Sequence, residues 1–209
     1  MPYEKFKYYA LKISGICIII FILQIIFSGF TDLFLLLGLQ SFEQPWRLVT
    51  SIFLHGSATH LLFNLFALVL FGSILEKVIG SRRFLLVFFI TGIFASILSA
   101  FFYEAALGAS GAIMGLIGCL TILRPKMIVW AFGMPLPLFI AAILWAFADL
   151  GGFFAIVQDN TANIAHLAGL GFGLIIGTFL RNNFKIEKTK RKTKVPEKVI
   201  RVWETKYMN

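Results

Sequence analysis

Six apolar runs, each near the length that crosses a bilayer, follow one another along this chain: residues 10–30, 57–75, 84–103, 108–123, 135–157 and 162–180. A hydrocarbon core of about 30 Å takes roughly 20 apolar residues as a helix. The breaks between the runs carry turn or charge signals: Gln44-Pro45, Glu76-Lys77, Gly80-Ser81-Arg82-Arg83, Arg124-Pro125-Lys126 and Gln158-Asp159-Asn160. The sequence therefore predicts an all-α polytopic membrane protein. Six transmembrane helices occupy residues 1–180 and a basic tail follows over 181–209. A soluble domain of 209 residues, 59% hydrophobic and only 14% charged, has no way to cover that apolar surface.

Three departures from a plain bundle are legible. The fourth run is short and opens on glycines, so its helix is expected to begin below the membrane surface. Between the first and second runs, residues 31–50 are semi-apolar (DLFLLLGL, then EQPWR). They are too short and too interrupted to span, which predicts an interfacial or partly embedded loop. The first run carries no small-residue cleavage site followed by a soluble domain and is read as a span that stays. Cys17 and Cys119 both lie in apolar runs, far from any metal-type spacing, and are read as reduced core fillers.

Orientation follows from the basic residues. With six spans both termini share a side. Eighteen of the nineteen lysines and arginines fall on that side or in its loops, and only Arg47 falls opposite. That face is predicted to be cytoplasmic. The net charge of +9 needs no nucleic acid to explain it; the tail is placed to meet anionic lipid headgroups or water.

Polar groups at membrane depth are costly, and so mark function first. They are His60 and Asn64 in the second run, Ser110 in the fourth, Asp149 late in the fifth and His166 in the sixth. At ~1.5 Å per residue, Ser110 stands about 21 Å above Arg124 and His166 roughly 22 Å above Arg181. His60 and Asn64 stand roughly 24 and 18 Å above Glu76. Three helices thus deliver polar groups to one level.

A serine hydroxyl is a weak nucleophile unless a base takes its proton, and His166 is the natural base for Ser110. His60 and Asn64, four apart, share a helix face and can donate to one point. The Ser110 backbone N–H, near a helix start, adds a donor and a favourable dipole. Nucleophile, base and oxyanion donors are the parts of acyl transfer, here peptide hydrolysis. Gly108 and Gly111 let the fourth helix start below the surface and present the serine to a water-reached cavity. Gly169, Gly173 and Gly177, at four-residue spacing, read as packing that brings the sixth helix against the fourth. Asp149, beside Gly151-Gly152, either completes a triad or, as its position near the helix end favours, bonds at the end of the fifth helix. His55 reads as a structural hydrogen bonder in the loop.

Set in order, Trp46-Arg47, HGSATHLLFN (His55 to Asn64), Glu76 with Gly80, GASG (Gly108 to Gly111) and AHLAG (Ala165 to Gly169) resemble the rhomboid intramembrane serine proteases across about residues 10 to 180. The resemblance implies a six-helix bundle of the prokaryotic form in the cell membrane, with both termini cytoplasmic. It implies a Ser110–His166 dyad, an oxyanion site of His60, Asn64 and the Ser110 amide, no metal and no cofactor. Its partners would be transmembrane protein substrates and membrane lipid, with no obligate protein partner. The fifth helix and the loop before His166, where Asn163 matches a polar position, would gate substrate entry. Met114 stands where some members carry an aromatic that packs on the base, so altered support for His166 is expected. A catalytically inactive relative that binds membrane clients would be expected to lose Ser110 or His166, and both are present. A small-solute or proton transporter usually shows internal repeats, and none is seen.

Overall fold

The computed structural model describes residues 6–154, 162–190 (backbone alone from 182) and Thr205. The predicted break at Gln158-Asp159-Asn160 and most of the basic tail lie outside the described residues. Among those described, four helices are long and apolar enough to cross a membrane: Tyr9–Ile26, Ala58–Ile79, Ser81–Phe102 and Asn163–Arg181. Two shorter apolar helices, Ser110–Leu123 and Leu138–Phe153, stand among them.

In chain order, α1 (Tyr9–Ile26) ends four residues before the apolar run does, where Gly29 turns the chain at φ 82°. The segment that follows is not an irregular loop. It folds into α2 (Phe30–Phe34), a 3-10 turn (Gly38–Phe42), α3 (Arg47–Thr50) and a second 3-10 turn (Ser51–Phe53). Arg47, the one basic residue that the charge pattern sets apart from the rest, is buried here. Its Nη1 donates to the carbonyls of Asp32 and Leu35, both at 2.7 Å, and its Nε to Gln44 Oε1 at 2.6 Å. It ties the segment to itself.

Next come α4 (Ala58–Ala67), a π-helical stretch (Leu68–Gly72) and α5 (Ser73–Ile79), which together form one span, and then α6 (Ser81–Phe102). Glu76 is fully buried at the start of α1. Its carboxyl oxygens accept from the backbone N–H of Tyr9 (3.1 Å) and Ala10 (3.2 Å) and from Ser81 Oγ (2.6 Å). First-turn N–H groups have no partner within their own helix, and a carboxylate there also meets the positive end of the dipole. One side chain thus pins the start of α1 to the α5–α6 corner.

The centre of the bundle is α7 (Ser110–Leu123), whose residues from Gly111 to Thr121 are all buried. A helix apolar on every side belongs inside. Its 14 residues rise about 21 Å, short of the ~30 Å slab. After it the otherwise helical chain makes one short hairpin, which the all-α expectation lacks. β1 (Ile128–Ala131) pairs antiparallel with β2 (Met134–Pro137), Ala131 opposite Met134. The hairpin turns on Phe132 and Gly133, both at positive φ (53° and 76°), which is the two-residue turn that suits strand twist. The sequence IVWA is β-branched and aromatic, and Pro125 bars continuation of α7. Apolar content alone assigned residues 135–137 to the fifth span; α8 (Leu138–Phe153) starts only after Pro137.

The last helix, α9 (Asn163–Lys190), lies along α7. A Cβ on Gly169 would strike the carbonyl of Gly111, one on Gly173 the carbonyl of Gly115, and one on Gly177 the Cys119 oxygen at 2.9 Å. The glycines at four-residue spacing let the two backbones touch, as expected. Cys17 and Cys119 are free and buried.

Candidate active site

Ser110 is the first residue of α7. The chain reaches it through Gly108 at φ 122°, whose N–H donates to the Ser51 carbonyl at 2.9 Å. No side chain caps α7, so its first N–H groups, that of Ser110 among them, have no partner within the helix.

His60 sits in the first turn of α4, where Ser57 Oγ accepts its backbone N–H at 3.1 Å. Its imidazole lies on the open face of Gly108. A Cβ there would fall 2.9 Å from His60 Nε2 and 3.9 Å from Ser110 Oγ. The glycine is required twice, by its φ and by this approach. Asn64, one turn on and buried, donates from Nδ2 to the His60 carbonyl at 2.9 Å, which uses one of its two amide hydrogens. The His55 ring stands 5.1 Å from that of His60, edge to face. Its backbone is clamped by Gln24 of α1, whose Oε1 accepts the His55 N–H (3.0 Å) and whose Nε2 donates to the His55 carbonyl (3.2 Å). Burial, with His60 adding to it, pushes the His55 imidazole down to about 4. His55 is therefore neutral at ordinary pH, and its Nδ1 approaches the Phe53 carbonyl at 3.2 Å.

His166 lies one turn into α9. The N–H of Ile164 donates to Tyr103 Oη at 3.0 Å, anchoring that end. Gly111 and Ala165, the sequence neighbours of Ser110 and His166, pack backbone to backbone. A Cβ on Gly111 would lie 3.2 Å from the Ala165 carbonyl oxygen. Among the described residues no hydrogen bond joins Ser110 to His166; the contact of α7 with α9 falls at their sequence neighbours. Catalytic hydrogen bonds are often long until substrate binds. On its other side, His166 Nδ1 lies 2.8 Å from Asp149 Oδ1 of α8.

A small cavity beside the serine is lined in part by Ser51, Ser96, Ser99, Leu107, Ser110 and Ala162, which sets several hydroxyls inside the bundle. Met114 is buried in the core of α7, and Asn163 is buried against Gly152. Among the described residues no group of three or more His, Cys, Asp or Glu gathers as a metal site. Gln24 and Tyr103 are not marked by the sequence, whereas a triad role for Asp149 stands there as one of two alternatives, and the structure sets Asp149 against His166. Gln24 lies unmarked in an apolar run and Tyr103 at the end of another, and no local spacing announces their partners.

Apolar helices of spanning length around a buried helix that opens on a serine, with His60 lying on Gly108 before it and His166 on the helix packed along it, define an integral membrane protein with a polar site inside its bundle. The Rhomboid domain matches residues 42–183, and the chain belongs to the rhomboid family. It is similar to the rhomboid protease GlpG of Yersinia pseudotuberculosis serotype I (strain IP32953), 28% identical over 190 residues that cover 84% of this chain and 67% of that protein. GlpG of Yersinia pestis (strain Pestoides F) is 28% identical over the same length. The RHOMBOID-like protein 6, mitochondrial, of Arabidopsis thaliana is 32% identical over 151 residues, 66% of this chain and 44% of that one.

Proposed function

We propose that this chain is an intramembrane serine endopeptidase that cuts transmembrane segments of membrane proteins near their outer end. The observation that carries this reading is the contact of α7 with α9 at Gly111 and Ala165, next to Ser110 and His166, with His60 lying on Gly108. His166 Nε2 takes the Ser110 proton as Oγ attacks the substrate carbonyl carbon. The oxyanion is met by the Ser110 N–H, His60 and the remaining Asn64 amide hydrogen. His166 then returns the proton to the departing amine, and water, activated by the same histidine, releases the acyl group. None of these steps calls on a cofactor.

In this reading α7 and α8 complete a six-span bundle, the segment 31–50 is partly embedded, and both termini face the cytoplasm of a prokaryotic cell. Residues 1–180 form the protease domain and 181–209 the basic tail. A helical substrate must unwind to expose its carbonyls, which is easiest where glycine or polar residues weaken it. The close walls at Gly108 and Ala109 favour a small residue before the cut.

Wild type and the Ser110→Ala and His166→Ala variants, in liposomes with a model transmembrane substrate, test the proposal. Each variant is expected to lose cleavage and labelling by a serine-directed fluorophosphonate while melting like wild type. The double variant should be no worse than either single one. Normal turnover in either single variant overturns the proposal.

A further inference from the structure

We propose that Asp149 is the positioning residue for His166, so that α8 supplies a third member that orients the base. This rests on the Ser110–His166 reading above. Asp149 Oδ1 lies 2.8 Å from His166 Nδ1, the separation of a well-formed N–H···O bond. The two side chains are 12% and 18% exposed. They come from different helices, 17 residues apart, so tertiary packing makes the contact and helix spacing does not. Among the described residues, His166 alone of the three histidines has a carboxyl within bonding distance. His55 faces a backbone carbonyl, and His60 lies on Gly108.

The chemistry follows from the two ring nitrogens. When Nδ1–H donates to Asp149, Nε2 carries the lone pair that a base needs toward Ser110. The bond also fixes the rotation of the ring, which is otherwise broad for an sp³–sp² torsion. When Nε2 takes the serine proton, the carboxyl group beside Nδ1 stabilises the imidazolium where little water reaches it.

Asp149→Asn tests this without changing size. Its amide presents either oxygen or NH₂ to Nδ1, and the NH₂ arrangement drives the ring to the tautomer with its proton on Nε2. The expected result is a fall in kcat of roughly 10²- to 10⁴-fold with KM little changed. Fluorophosphonate labelling of Ser110 should slow in parallel and the melting temperature should hold. Asp149→Glu, which keeps a carboxyl, should recover part of the rate. With three histidines in the chain, ring ¹⁵N spectra of ¹⁵N-histidine protein, assigned with His166→Gln, read the tautomer directly. Wild type should show His166 protonated at Nδ1 and the Asn variant a mixture. An unchanged kcat in Asp149→Asn beside inactive Ser110→Ala and His166→Ala overturns the triad and leaves the dyad standing. Full activity in all three variants overturns the dyad itself. Should Asp149→Asn melt early, a His166 tautomer unchanged in the folded protein also overturns the proposal.

Discussion

Replacing Gly173 by alanine adds a methyl group where α9 touches α7. A Cβ at this position would lie 2.8 Å from Gly115 C and 2.9 Å from Gly115 Cα, and nearer still to the Gly115 oxygen. Ordinary contact begins at 3.4 Å, so the carbon alone demands a 0.6 Å retreat and the oxygen more. Backbone on both sides of the contact cannot rotate away, so the helices must part. Overpacking of this kind costs about 1–3 kcal/mol. Alanine also favours a helix over glycine by up to about 1 kcal/mol, which obscures the net value. Gly171→Ala removes that ambiguity: the same substitution in the same helix, with nothing within 4 Å of the new Cβ. The difference between the two variants, in which propensity cancels, should therefore be about 1–3 kcal/mol. Parting α7 from α9 also draws Ser110 from His166. A misplacement of 1 Å can cost about 10²-fold, so Gly173→Ala should lose roughly tenfold to a hundredfold in kcat. Thermal unfolding in detergent and cleavage of a model substrate in liposomes measure both. Equal melting and equal activity for the two variants would refute the argument from backbone contact.

Three further outcomes are expected. Glu76→Ala leaves the donors at Tyr9, Ala10 and Ser81 unpaired, at about 1–3 kcal/mol for each of the buried pair, Ala10 and Ser81; it should melt well below wild type, and below Glu76→Gln, which keeps one acceptor oxygen. A wild-type melting curve for the alanine variant contradicts the pinning role. His60→Ala and Asn64→Ala should each lower kcat, by up to about 10²–10³-fold where no other donor covers the loss; a rise in KM alone for both argues against oxyanion binding. A reporter active only outside the cytoplasm, fused after Asn209, should stay silent, and strong signal there reverses the assigned topology.

The four long helices were readable because lipid demands long, unbroken apolar runs, and composition records that demand directly. The residues of the candidate site were readable for the same reason: a serine or histidine at membrane depth stands out against leucine and phenylalanine. The glycines of α9 were readable as well, because small residues at four-residue spacing form one face along which another helix can approach. The hairpin at 128–137 escaped because apolar content does not distinguish strand from helix over so short a run, and Phe132 is an unusual residue for a positive φ. Arg47 counted as a charge on the far side, although its guanidinium is spent on backbone carbonyls of its own loop. The partners of Asp149, Glu76, Gln24 and Tyr103 were decided only by the tertiary structure. Each partnership joins elements apart in sequence, and a hydrogen bond depends on where two atoms meet, which no spacing along one chain encodes.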